Sequence, residues 1–138
     1  MKLRIVSDRI EIPKLDPDEK MIHLAFKASN VDILNLMQRC PKLRMIQVSS
    51  SHRKAMSNAL QVFLDMQGIE LLEGDIWDNW DGRNNFDGYF TIDDINSDEI
   101  RSMVSEGLSI DEVADQIQKR TKVSADLAKY IIKIGTTN

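Results

Sequence analysis

The sequence predicts an α/β protein with a parallel sheet of about four strands, helical crossovers and a helical C-terminal extension. Four short apolar runs rich in β-forming residues or leucine recur in residues 1–75. Stretches with apolar residues at helical spacing separate the later runs, and the last third of the chain has the pattern of three short helices. Because strands that alternate with helices return in the same direction, the sheet should be parallel.

The expected strands cover residues 3–6, 21–26, 44–48 and 69–72, and each run is too short to form a helix alone. The first crossover has room for one helical turn at 9–12. The second crossover is a helix that begins at a cap, Ser29 or Asn30, and ends before Pro41. The third crossover has an apolar helical stripe over 56–66, and Gly68 ends it. This alternation favours a small flavodoxin-like body over residues 1–75. A leucine-rich repeat has a similar look, but its asparagine ladder is absent.

The composition changes after Gly74. Residues 76–95 form an acidic segment that contains Trp77 and Trp80, and residues 89–92 have the pattern of a short edge strand. Residues 96–138 follow as three helices over 96–106, 110–120 and 124–134. Short helices with one apolar face are not stable alone, so we expect them to pack on the sheet or on a partner subunit. A homodimer is the favoured assembly.

Composition and charge exclude several classes of protein. The net charge is −4, with 11 basic and 10 acidic residues in 1–75 and 7 basic and 12 acidic residues in 76–138, so no broad basic field invites nucleic acid. A single cysteine, Cys40, excludes an internal disulfide and the cysteine pairs of a structural zinc site. No run approaches the roughly 20 apolar residues that span a bilayer. We therefore expect a cytoplasmic protein without a cofactor or a metal site.

The candidate site is an anion site above the third strand. Ligands collect at the carboxyl ends of parallel strands, where helix N-termini and loops meet. Backbone N–H groups at the start of the helix after Ser51, together with Arg53 or Lys54, favour phosphate or carboxylate, and His52 is suited to shuttle a proton. The predicted ligand-binding residues are Ser7, Ser29, Asn30, Ser49, Ser50, Ser51, His52, Arg53 and Lys54.

The competing interpretation is structural, because serine is a common helix cap and cations on a first turn usually point into water. Neither glycine-rich phosphate motif occurs, so a small anion is favoured over a nucleotide. His23 lies inside a strand, where a packed imidazole is the commoner role, and Cys40 has the character of a small apolar filler. A Cys–His nucleophilic pair stays open as an alternative, but no complete catalytic set emerges, so an enzyme is not favoured.

The run Gly107-Leu108-Ser109, followed by Glu112, Val113 and Ala114, resembles the opening of a helix-turn-helix. Lys122-Val123-Ser124 resembles the turn before the recognition helix, although the spacing is about one helical turn longer than usual. The resemblance implies a transcription-related protein as the alternative function. Its DNA-contacting residues are then Lys122, Ser124, Lys129 and Tyr130. Residues 100–138 hold only 6 basic and 5 acidic side chains, which favours a packing role over DNA binding.

Two family resemblances add to this interpretation. Residues 41–46 and 68–72 resemble two strands in the substrate domain of D-2-hydroxyacid dehydrogenases, but the nicotinamide-binding domain of those enzymes is missing. A resemblance over nearly the whole chain is to an uncharacterised archaeal family, chiefly from methanogens. The runs that carry it are 23–26, 36–41, 46–48, 56–59 and 66–75. That resemblance implies a methanogen cytoplasm and assigns no activity.

Overall fold

A computed structural model describes residues 2–74, 88–91, 97–121 and 123–136. The strands β1 (Lys2–Val6), β2 (Met21–Leu24), β3 (Met45–Val48) and β4 (Glu70–Glu73) are parallel neighbours in chain order. A fifth strand, β5 (Tyr89–Thr91), pairs antiparallel with β1, so the sheet order is β4-β3-β2-β1-β5. The predicted fold class, a parallel sheet with helical crossovers and C-terminal helices, is confirmed.

The crossovers lie between consecutive strands. A 3-10 helix (Arg9–Lys14) follows β1, α1 (Asn30–Arg39) follows β2, and α2 (Ser50–Ala55) and α3 (Asn58–Met66) follow β3. The sequence placed a helix start after Ser51 and an apolar stripe over 56–66, with no break marked between them. The chain instead breaks because Met56 and Ser57 are extended and the Ser57 hydroxyl accepts a hydrogen bond from the Leu60 N–H at 3.1 Å. Ser57 therefore starts a new helix.

The strand order does not reverse between β1 and β4. Right-handed crossovers between strands added in one direction all return over the same face of the sheet. That face is filled by the apolar residues of α1, α3 and the strands, among them Val6, Ile22, Leu24, Ile46 and Val48. The parallel strands consequently lack the switch point at which doubly wound sheets bind ligands.

The opposite face of the sheet is covered by the C-terminal helices α4 (Ser97–Ser105), α5 (Ile110–Thr121) and α6 (Ala125–Thr136). The sheet contributes five buried apolar side chains to this second core, and the helices contribute a contiguous apolar cluster. The sheet residues are Leu3, Ile5, Met21, Met45 and Leu72, and the helical residues include Ile100, Val113, Ile117, Leu127 and Ile131. The protein thus has three layers, with the sheet between the crossovers and the C-terminal helices. Within the described residues, none of these helices has the length and apolar character required to cross a membrane.

Candidate functional site

The carboxyl ends of β1 to β4 lie along one edge of the sheet, and the predicted anion-binding residues follow these ends. Ser7 is exposed, and its N–H donates to the Glu11 carboxylate at 2.7 Å. The Ser29 hydroxyl caps α1 by accepting from the Asp32 N–H at 3.1 Å, and Asn30 is an exposed first residue of that helix. These three residues therefore have structural or solvent-facing positions.

The carboxylate of Asp32, at the start of α1, makes its hydrogen bonds and its ion pair within the protein. Its carboxylate accepts the Ser29 N–H at 2.9 Å and lies 3.4 Å from Nε of Arg9. Burial acts to raise the pKa of this carboxyl, but the hydrogen bonds from Ser29 and the charge of Arg9 outweigh burial and lower it. Asp32 consequently stays ionised at neutral pH and pairs with the guanidinium of Arg9.

The segment from Ser49 to Lys54 forms the short helix α2. The Ser49 hydroxyl accepts from the His52 N–H at 3.3 Å and lies 3.2 Å from the Ser51 hydroxyl. Ser50, Ser51 and Lys54 are exposed, and Lys54 makes no ion pair with any described residue. His52 is half-buried, and its Nδ1 has no hydrogen-bond partner within the described ranges.

Arg53 differs from its neighbours because it points at carboxylates of the protein itself. Its Nη1 lies 3.6 Å from an Asp126 carboxylate oxygen and 3.9 Å from a Glu73 carboxylate oxygen. The same Asp126 oxygen accepts the backbone N–H of Glu73 at 2.9 Å. The anion beside Arg53 is therefore supplied by the first turn of α6.

A second polar contact fixes the same end of α6. Gln47 is fully buried in β3, its amide nitrogen donates to the Ser124 hydroxyl at 3.1 Å, and its amide oxygen lies 2.7 Å from Nδ1 of His23. Because the oxygen can only accept, Nδ1 of His23 carries the proton that it donates. The Ser124 hydroxyl also accepts the Leu127 N–H at 3.1 Å and so caps α6. We call the contacts of Ser124 and Asp126 with Gln47, Arg53 and Glu73 the α6 joint.

The sequence did not identify the α6 joint, although one signal was present. A glutamine between Ile46 and Val48, in a strand buried on both faces, needs a polar partner inside the protein. Asp126 offered no such signal, because an acid in the first turn of a helix is common for reasons of the helix dipole alone.

The four residues predicted for DNA contact divide into two groups. Ser124 belongs to the α6 joint and Tyr130 is buried, where burial and then the charge of Glu70 raise the pKa of its hydroxyl. Lys129 is exposed and lies 4.0 Å from the Asp111 carboxylate. Lys122 lies outside the described residues. One of the four residues is therefore exposed in the described part of the chain.

The thiol of Cys40 is not activated as a nucleophile. It is buried and hydrogen-bonds to the Asp16 carbonyl at 3.5 Å. Burial, and then the charge of Glu19, raises the pKa of the Cys40 thiol to about 11. A thiol that stays protonated at neutral pH is a poor nucleophile, which argues against the Cys–His alternative. Among the described residues, no cluster of three or more His, Cys, Asp and Glu has the arrangement of a metal site.

Comparison with known families matches both parts of the chain. Residues 2–85 match the model described as "Family of unknown function (DUF1699) N-terminal domain". Residues 97–133 match the model described as "Protein of unknown function (DUF1699) C-terminal HTH domain". The second match contains most of α4 to α6. No curated protein and no solved structure shows significant similarity to the chain.

The α6 joint predicts a specific intolerance at Gly74. A Cβ at this position would lie 2.4 Å from Cβ of Ser124 and 2.7 Å from the Gln47 amide nitrogen. Gly74→Ala should therefore lower the free energy of unfolding by about 1–3 kcal/mol through overpacking. Urea denaturation followed by circular dichroism measures this change.

The matched test repeats the substitution in a Ser124→Gly background, which removes the nearer of the two obstructing side chains. Gly74→Ala should then cost less than it does in the parent. An equal cost in both backgrounds would show that Ser124 does not press against Gly74.

Proposed function

Since the chain belongs to the DUF1699 family, a family of unknown function whose C-terminal model is described as an HTH domain, we propose that it is a transcription-related DNA-binding protein. In this proposal α5 and α6 form the helix-turn-helix and the α/β body holds it. The proposal rests on one surface of α6, the exposed stripe of Ala125, Lys129 and Lys133, on a helix whose other side is packed in the core.

The helical packing supports this assignment. Ser109 caps α5 by accepting the Glu112 N–H at 3.1 Å, and Ser124 caps α6 by accepting the Leu127 N–H at 3.1 Å. The two helices share a core of Val113, Ile117, Leu127 and Ile131 with α4 beneath them. A compact helical unit with one helix surface exposed is the arrangement by which helix-turn-helix proteins present a helix to the major groove.

The mode of contact should differ from that of a standard helix-turn-helix. Such proteins read bases with the N-terminal residues of the recognition helix, but here that turn is held in the α6 joint. The surface left to DNA is the stripe of Ala125, Lys129 and Lys133, which are exposed at four-residue spacing. Lys133 also pairs with Glu70, so Lys129 is the more available cation.

The contact of Arg53 in α2 with Asp126 in α6 supports including the candidate anion segment in the proposed DNA surface. Lys54, Ser50 and Ser51 are exposed residues of the same short helix, and in this proposal they extend the DNA surface. A DNA phosphate is an anionic ligand that hydroxyls and lysines bind. The proposed contact is consequently dominated by the phosphate backbone, with little sequence discrimination.

The electrostatics predict weak binding. The net charge is −4, and Asp111 and Glu112 occupy the first turn of α5. Only a few lysines act at the proposed surface, so affinity should lie in the non-specific range of about 10⁻⁴–10⁻⁶ M and fall as salt rises.

The proposal predicts that Lys129→Ala and Lys54→Ala each weaken binding to mixed-sequence duplex DNA. Each substitution should also reduce the slope of log affinity against log salt by about one unit, because one phosphate contact is lost. Fluorescence anisotropy in a low-salt titration series measures both quantities.

Lys42→Ala is the matched control, because Lys42 is similarly exposed and also pairs with an acid, Asp18 at 3.0 Å. It precedes β3 and so lies toward the opposite edge of the sheet from α2. Absence of low-salt binding by the parent, or equal losses in all three variants, would contradict the proposal.

A small free anion at Ser49 to Lys54 is the second candidate ligand. The specific observation that favours it is Nδ1 of His52, which is buried without a hydrogen-bond partner in the described part of the chain. A buried ring nitrogen without a partner is costly, and an anion that His52 contacts would satisfy it.

This second proposal predicts that inorganic phosphate raises the melting temperature of the parent more than chloride does at equal ionic strength. His52→Ala and Lys54→Ala should remove the difference. Equal melting temperatures of the parent in phosphate and chloride would contradict a phosphate site at this segment.

Assembly, location and origin belong to the same proposal. A homodimer would present two α6 stripes to DNA, as helix-turn-helix dimers do. A cytoplasmic location and an archaeal, methanogen origin agree with the sequence resemblance and with a role at the chromosome.

A further inference from the structure

Strand β4 lies at the edge of the sheet, and part of its hydrogen-bonding capacity faces outward. Glu70 and Gly74 donate their N–H groups to β3, to the carbonyls of Arg44 and Val48 at 2.9 Å each. Because bonding alternates along a strand, the N–H and C=O groups of Leu71 and Glu73 face away from β3.

These outward groups are not equally available. The Glu73 N–H donates to Asp126 at 2.9 Å and is therefore already used. The backbone N–H and C=O of Leu71 have no partner within the described residues. Leu71 consequently presents the donor and acceptor with which an added strand pairs.

Grooves flank the edge of β4 on both faces of the sheet. On the α3 side, a groove of about 350 Å³ is lined by Gln61 and Asp65 together with β4. On the α6 side, a groove of about 330 Å³ is lined by Lys129, Tyr130 and Lys133 together with β4. Leu71, Leu72 and Arg53 contribute to both. An extended chain laid on Leu71 would direct alternate side chains into the two grooves.

The side chains that are not already in ion pairs give the two grooves opposite charges. On the α6 side, Lys133 pairs with Glu70 and Arg53 pairs with Asp126, which leaves Lys129 with only a 4.0 Å contact to Asp111. On the α3 side, Asp65 forms no ion pair with a described residue. The α6 groove is therefore complementary to an acidic side chain and the α3 groove to a basic one.

We propose that the edge of β4 is a docking site for an extended segment of a partner protein, which adds to the sheet as a strand. The segment carries neighbouring acidic and basic residues, the acid toward Lys129 and the base toward Asp65. A second copy of β4 does not fit, because the run from Glu70 to Glu73 has acids at both ends and no base. Pairing acids with Asp65 would be repulsive.

Two heptapeptides of identical composition, acetylated and amidated, test the proposal. The peptide Thr-Val-Glu-Lys-Val-Thr-Thr directs Glu and Lys to opposite faces of an extended strand, and Thr-Glu-Val-Lys-Thr-Val-Thr directs both to one face. Titration of the full chain, followed by amide chemical shifts, should show saturable binding of the first peptide at least about fivefold tighter than the second. Hydrogen exchange of the Leu71 amide should slow in the bound state.

Three variants identify the surface. Leu71→Pro removes the outward N–H together with the half-buried Leu71 side chain that packs on the α3-side core. It should abolish binding while the sheet stays folded, since proline is accepted at such positions on edge strands. Asp65→Lys and Lys129→Glu, both at exposed positions, should each weaken the first peptide without affecting folding. Lys42→Glu is the matched control and should not change its affinity.

The proposal is overturned if the first peptide does not bind, if both peptides bind equally, or if Asp65→Lys and Lys129→Glu act no differently from Lys42→Glu. These outcomes are independent of the DNA measurement, because no duplex is present and Asp65 is not part of the proposed DNA surface.

Discussion

The direction in which the sheet is wound determines the rest of the structure. Four parallel strands added in chain order place all their crossovers on one face, so the other face is left apolar and uncovered. Burial of one large apolar side chain is worth about 1.5–3 kcal/mol. With five such side chains on that face, coverage by α4 to α6 contributes several kcal/mol to stability, about the same order as the whole stability of a domain. The C-terminal helices are thus the third layer of the protein.

Apolar burial explains why the helices dock, but it does not set their register, because the hydrophobic effect has no direction. The α6 joint sets the register of α6 on the sheet. If α6 shifted along the sheet, Gln47 would lose its partner Ser124 while remaining fully buried. A buried polar group without a partner costs about 1–3 kcal/mol, which is enough to select one register. Arg53 and Asp126 reinforce this position at the surface, where their ion pair contributes less.

Local patterns predicted most of the fold. The apolar runs identified the four parallel strands to within a residue or two, and Ser29 correctly marked the start of α1. The last two helices, expected over 110–120 and 124–134, begin within a residue of these bounds. The break between α2 and α3 was missed, although Ser57 has the character of a cap. Strand order was not predictable, because pairing depends on contacts between residues far apart in the chain. The same limit applies to the site: the cations of residues 49–54 were visible in the sequence, but the Asp126 carboxylate that Arg53 contacts belongs to another layer.

We infer that the sheet and the C-terminal helices form one cooperative unit joined through α6. Native-state hydrogen exchange across a denaturant series tests it directly, with Leu127 and Ile131 reporting on α6 and Ile46 and Val48 on β3. Both groups of amides should converge on one opening free energy and one denaturant dependence, as in a single unfolding transition. Opening of the α6 amides at clearly lower denaturant, with the β3 amides still protected, would contradict it.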